Sequence, residues 1–300
     1  MALAVFFCLN ISGMDNTISR LLRKYKAVIV AVWNKCFTDD VLGHSAQLAY
    51  YFLFALFPMM IFLTSLVGYL PVPNSLDNLI GYFSQVLPSV ATTLLKTTIQ
   101  EITSQPRGGL LSFGLAATIW AASSGIHALS NSLNIAYGIK KPRPWWSERL
   151  IALALTFGSS IFVIFALGLI FFSDSLGTTL ADYLEIGPGL RAFFSLAHYP
   201  FLIFSVWFML EAIYLIAPSR KLSWRWFTPG AIFALVTWLA ISFLFKYYVV
   251  RISNYTLTYG SLGSVIVLML WLYFTSLAIL IGGEINGVIE QRSNAKSNAR

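Results

Sequence analysis

The chain has 300 residues, of which 57% are hydrophobic, 16% aromatic and 11% charged, and it carries a formal net charge of +8. Soluble domains average about 25% charged residues, so a water-soluble globule is excluded, and the length suits one membrane domain with no room for a second, soluble one. Two cysteines, Cys8 and Cys36, give neither a disulfide framework nor a cysteine metal site.

Residues 1–37 form an N-terminal segment. Its first 13 residues are apolar but short, with no basic n-region. They make a poor signal peptide, and Met1 and Met14 stand as alternative starts. Ile18, Leu21, Leu22, Tyr25, Val28, Ile29, Val32, Trp33 and Cys36 then recur at helical spacing, with Arg20, Arg23, Lys24 and Lys35 off the stripe. This predicts an amphipathic helix with a basic face. It suits the inner leaflet or the cytoplasmic ends of a bundle, and the two placements are compatible. Asp39 and Asp40 follow, where acidic residues suit a helix N-terminus or pairing with the cytoplasmic cations.

Residues 38–290 hold six apolar stretches, at about 47–70, 110–129, 150–172, 193–217, 229–250 and 262–283. A spanning helix needs roughly 20 apolar residues, so the expected fold is all-α, a polytopic membrane protein of six transmembrane helices. In the first stretch Gln47, Tyr51, Pro58 and Ser65 share a face, and Pro58 predicts a kink. Pro71 and Pro73 end that helix, and 76–104 reads as an amphipathic helical segment on the outer face. Residues 140–146, Lys-Lys-Pro-Arg-Pro-Trp-Trp, form a connector whose cations suit anionic headgroups and whose tryptophans suit the membrane boundary. The loop 173–191 has an acidic excess, and 291–300 is a tail.

The cations set the orientation. Fifteen of the 20 Lys and Arg fall before the first stretch, between the second and third, between the fourth and fifth, or after the sixth; Lys96, Arg107, Arg191, Lys246 and Arg251 are the remaining five. The positive-inside rule places both termini in the cytoplasm. The basic charge is therefore a topology signal, with anionic lipid headgroups of the cytoplasmic leaflet as expected partners and nucleic acid as no partner.

Polar groups at membrane depth are costly and turn inward. Ser124, His127, Asn131 and Asn134 line one helical face running into the cytoplasmic boundary. They make either a polar cavity wall or interhelical hydrogen bonds. Glu211 lies inside the fourth stretch, where pairing with Arg220 or Lys221 is the leading expectation and a proton or substrate site the second. Glu284 follows Gly282-Gly283, which permit close helix approach, and Asn286 stands two residues on. The candidate substrate-binding residues are thus Asp39, Asp40, Gln47, Tyr51, Asn131, Asn134, Arg143, Glu211, Glu284 and Asn286. No phosphate loop, HExxH or GxSxG elbow is present, so no ATPase, no enzyme and no cofactor is expected.

Several of these residues carry a resemblance. Asp39-Asp40, then Ala46 to Pro58 (AQLAYYFLFALFP), then Leu133-Asn134-Ile-Ala-Tyr137 leading to Arg143, then Tyr259-Gly-Ser-Leu-Gly263, Trp271-Leu-Tyr273 and Gly283-Glu284-Ile-Asn286 together resemble the YihY/BrkB family of bacterial inner-membrane proteins. The likeness runs from about Arg20 to Arg292. It implies a six-helix protein of the bacterial inner membrane. Family members were long labelled ribonuclease BN, a label that the missing metal ligands make chemically remote here. Others are linked to serum resistance and envelope lipid traffic, which implies transport or flipping of a lipid-like amphiphile, or an accessory role. The rival expectation is a scaffold for envelope protein partners.

Overall fold

The computed structural model describes residues 26–67, 108–140, 142–162, 189–219, 227–251 and 255–298. These are helical apart from short turns, with no strand among the described residues. In chain order they are α1 (26–38), α2 (Val41–Val67), α3 (Gly108–Ala136), α4 (145–162), α5 (Gly189–Ile216), α6 (Pro229–Arg251) and α7 (Tyr255–Asn298). The expected outer segment at 76–104, the distal part of the third stretch and the loop 173–188 lie outside the described residues.

The helix ends follow from local chemistry. Asp40 takes a left-handed backbone conformation (φ 46°), and its carboxylate accepts the Gly43 N–H at 3.2 Å, capping α2. Gly138 takes φ 67° at the end of α3. There the Gly138 N–H donates to Ile135 O at 2.8 Å and the Ile139 N–H to Asn134 O at 2.9 Å, which is the Schellman closure that glycine permits. Thr228 caps α6 ahead of Pro229, which supplies no N–H at a position where none is needed.

Two helices outrun the stretches expected from hydropathy. α3 continues to Ala136, and α7 has 44 residues, about 66 Å at 1.5 Å per residue. The apolar run stops where polar side chains begin, but the backbone hydrogen bonds of a helix do not need apolar side chains to continue. α7 is therefore longer than the roughly 30 Å hydrocarbon core and carries Glu284, Asn286 and Arg292 on its last third.

α2 packs on α3 and α7, α6 packs on α7 and α5, and α3 also meets α7. Leu48, Leu129, Leu133, Tyr214, Ala217, Ala231, Ala234 and Leu280 form the core between them. Glycine makes the closest contacts possible. A Cβ at Gly282 would lie 2.6 Å from the Gly230 carbonyl oxygen, and a Cβ at Gly287 would overlap the Ala136 carbonyl. Large apolar side chains such as Phe54, Phe57, Phe113, Trp120, Phe204 and Phe243 point outward, as helices facing lipid require.

Candidate functional site

Polar side chains gather at one end of the bundle, where α1, the end of α3, the start of α4, the end of α5, the start of α6 and the last third of α7 converge. They form three knots.

The first is built on Lys35 of α1. Its Nζ lies 2.5 Å from Asp39 Oδ2 and 3.2 Å from Glu284 Oε2, and it donates to the Ala136 carbonyl at 3.0 Å. Glu284 is 1% exposed. Lys35 therefore neutralises a buried carboxylate and sits at the carbonyl end of α3, where the helix dipole favours a cation. Burial works against the Lys35 ammonium, but the Asp39 bond and the Glu284 charge outweigh it and raise its pKa above the ordinary 10.5. Burial, with Glu284 and Asp39 nearby, likewise pushes the Cys36 thiol up. Arg292 fixes the other end of α1 by donating to Ala27 O at 2.7 Å.

The second knot joins α3, α4 and the segment after α5. Asn134 Nδ2 donates to Ser219 Oγ at 2.9 Å and to Glu148 Oε1 at 3.3 Å, while its Oδ1 accepts the Ser219 N–H at 2.6 Å. Ser219 Oγ donates to Glu148 Oε1 at 3.1 Å. His127 Nδ1 stands 3.9 Å from Glu148 Oε2, and Asn131 Nδ2 lies 3.4 Å from His127 Nε2. Beside it, Arg149 stacks 4.3 Å over Trp120 and donates to Ser124 Oγ.

The third knot caps α6. Glu211 accepts the Thr228 N–H at 2.5 Å and the Thr228 hydroxyl at 2.8 Å. Asn286 accepts the Gly230 N–H at 2.8 Å and donates to Thr228 Oγ1 at 3.2 Å. Both residues act as remote caps for a helix they do not belong to, satisfying N–H groups the helix leaves open.

Of the ten sequence-predicted residues, the fold thus brings Glu211 together with Asn286 through Thr228, and Asp39 together with Glu284 through Lys35. Asn134 is buried with Glu148 and Ser219. Asn131 joins that knot through His127, and the other four remain apart. Gln47 is exposed, with His44 Nδ1 3.4 Å from its Oε1. Tyr51 packs edge-on against Tyr50. Asp40 caps α2, and Arg143 donates to the Ile216 carbonyl at 3.3 Å. The partners expected for Glu211, Arg220 and Lys221, lie outside the described residues.

Sequence reasoning missed Glu148, Ser219 and Thr228 as participants, and counted Lys35 only as a charge. The i, i+4 spacing of Lys35 and Asp39 was a usable signal. Glu148 stood out only as an acid within a basic connector.

Two apolar crevices adjoin α4 and α5, of about 250 and 280 Å³. The first is lined from α4 by Ala154, Leu155, Gly158, Ser159 and Phe162, and from α5 by Phe208, Met209, Ala212, Ile213 and Ile216. The second shares Phe162 and Phe208 and adds Phe201, Phe204, Ser205, Trp207 and Phe227. None of the ten candidates lines either crevice. Among the described residues no three of His, Cys, Asp and Glu are placed to hold a metal ion.

Two helical segments, Pro229–Tyr247 and Val265–Ser293, are long and apolar enough to cross a bilayer by length and composition among the described residues. The chain is 37% identical over 248 residues to a ribonuclease-like protein, YfkH, of Bacillus subtilis (strain 168), covering 83% of this chain and 90% of that one. It is 28% identical over 258 residues to a UPF0761 membrane protein of Vibrio campbellii (strain ATCC BAA-1116), covering 85% and 80%. A UPF0761 membrane protein of Histophilus somni (strain 2336) is 25% identical over 286 residues, covering 93% and 96%. No solved structure matches the chain. The family model described as virulence factor BrkB matches residues 32–300, nearly the whole chain including all three polar knots, and the protein therefore belongs to the BrkB family of membrane proteins.

Proposed function

We propose that this is a six-span protein of the bacterial inner membrane, with both termini cytoplasmic, that binds and moves a lipid-like envelope amphiphile or assists a partner that does so, without hydrolysing ATP. The observation that carries the reading is Arg143. It stands in the basic connector beside the exposed Trp145 and Trp146, and the Ile216 carbonyl at 3.3 Å takes one of its guanidinium N–H groups. A guanidinium carries five N–H donors, so it can meet an anionic headgroup at the cytoplasmic leaflet. On this reading the exposed Gln47 and Asn131 share the headgroup region. Asp39, Asp40, Asn134, Glu211, Glu284 and Asn286 hold the helix ends that frame it, and Tyr51 packs within α2.

The test is reconstitution of the purified protein into liposomes with fluorescent anionic and neutral envelope lipids. Protein-dependent movement between leaflets is the expected result, with Arg143→Gln slowing the anionic lipid more than the neutral one. If no envelope lipid binds or crosses, and Glu284→Gln leaves cells unaffected, the proposal falls.

A scaffolding role is the second reading. What favours it is that Asn134, Glu211, Glu284 and Asn286 all have protein partners. A scaffold predicts that Asn134→Ala and Glu284→Gln lower thermal stability and loosen contacts with envelope proteins, while lipid movement is absent.

A further inference from the structure

We infer that the crevice between α4 and α5 is a phospholipid site, with an acyl chain lying along Leu155, Gly158 and Phe208 and its phosphate at Arg143. The inference rests on the amphiphile reading for the class of ligand, but it does not need transport.

Four observations carry it. First, the two apolar cavities adjoin, with Phe162 and Phe208 lining both. Second, the lining runs at least the depth of one leaflet. Ile216 marks its mouth, and Phe208 and Phe201 follow at about 12 and 22 Å along the helix at 1.5 Å per residue. One leaflet contributes about 15 Å of the hydrocarbon core. Third, its floor is open, since a Cβ added at Gly158 meets no atom within 4 Å. An unfilled apolar groove forfeits dispersion contacts on its lining, and in a bilayer the available filler is an acyl chain.

Fourth, the charge at the mouth fits a phosphate. Arg143 donates to the carbonyl of Ile216, the residue that closes the groove. The start of α4 adds its positive dipole end, and exposed Trp145 and Trp146 sit at headgroup level. The nearest acid in sequence, Glu148, is turned away, bonded by Asn134 and Ser219. An anionic headgroup with a single phosphate is therefore favoured over a neutral one.

The experiment uses the full chain in mild detergent, and follows thermal unfolding with added phosphatidylglycerol, or phosphatidylcholine of the same chains, or glycerol phosphate. A ligand of the native state stabilises it by mass action. Phosphatidylglycerol is expected to raise the midpoint most and glycerol phosphate not at all. Gly158→Phe and Ala154→Phe fill the groove and should abolish the shift for both lipids, while Gly109→Phe, also placed in open space, should keep it. Arg143→Gln should weaken phosphatidylglycerol by about tenfold, the loss of one charge-assisted bond, and bring it level with phosphatidylcholine. An unchanged lipid shift in both groove-filling variants overturns the site, as does a change in oligomeric mass in its place, which would mean a second copy covers the groove. Equal shifts from the two lipids in the wild type overturn the phosphate assignment. Lipid binding without any translocation in liposomes would sink the transport reading and leave this site standing.

Discussion

Lys35 holds more of this protein together than any other described cation. Its ammonium bridges Asp39, the buried Glu284 and the Ala136 carbonyl, so one residue ties α1 to α7 and α3. Lys35→Met leaves Glu284 buried without its cation, and breaking such a pair costs about 3–5 kcal/mol. Thermal unfolding in detergent should show that loss, and adding Glu284→Gln to Lys35→Met should recover part of it. A lysine with a raised folded-state pKa contributes stability that is complete below its ordinary 10.5 and fades only as pH rises through the higher folded value. The lysine's contribution should therefore hold up to its ordinary 10.5 and fall above that, whereas the Lys35→Met protein should lack the alkaline step. The neighbouring Cys36 is half-buried with its thiol pKa pushed up. Thiolate is the reactive form, so alkylation of Cys36 at pH 7.5 should be slower than that of an unfolded control, measured by mass spectrometry.

At the scale of elements, the helix ends decide where polar groups can meet. Gly138 closes α3 at φ 67°, and a Cβ there would come 2.9 Å from Gln291 Nε2. Gly138→Val should cost about 1–3 kcal/mol for the forced backbone, more than the same change at Gly109, where space is open. α6 depends on side chains from elsewhere: Glu211 and Asn286 cap its start, and Gly230 admits the Gly282 carbonyl. Asn286→Ala removes two of these bonds. It should lower the unfolding midpoint and speed hydrogen exchange at Gly230 and Thr228, with helix content unchanged by circular dichroism. The α1 helix shows the limit of reading a stripe. Its apolar residues divide, Cys36 facing the core while Ile29, Trp33 and Phe37 stay exposed. A single hydrophobic periodicity served two surfaces.

At the scale of the whole molecule, apolar side chains line the outer faces and polar ones cluster at one end. The proposed topology of six spans with both termini inside predicts that single cysteines at Trp145 and Arg292 are labelled from the cytoplasm, while one at Asp182 is labelled from the outer side. Labelling of Trp145→Cys and Asp182→Cys from the same side would refute that topology.

The sequence by itself determined the helical class, a membrane protein, and the family. It did so because composition, helical periodicity and the Asp39-Asp40, Leu133-Asn134 and Gly283-Glu284 motifs are local properties. It also flagged Asn134, Glu211, Glu284 and Asn286, because a polar group in an apolar run is conspicuous wherever the chain goes. Only the tertiary structure decided what they meet. Glu211 caps α6 through Thr228, Asn134 pairs with Ser219 and Glu148, and Glu284 takes Lys35, across separations that hydropathy and spacing cannot bridge. Burial demands a partner for each such group, but which partner depends on how helix ends far apart in the chain are brought side by side.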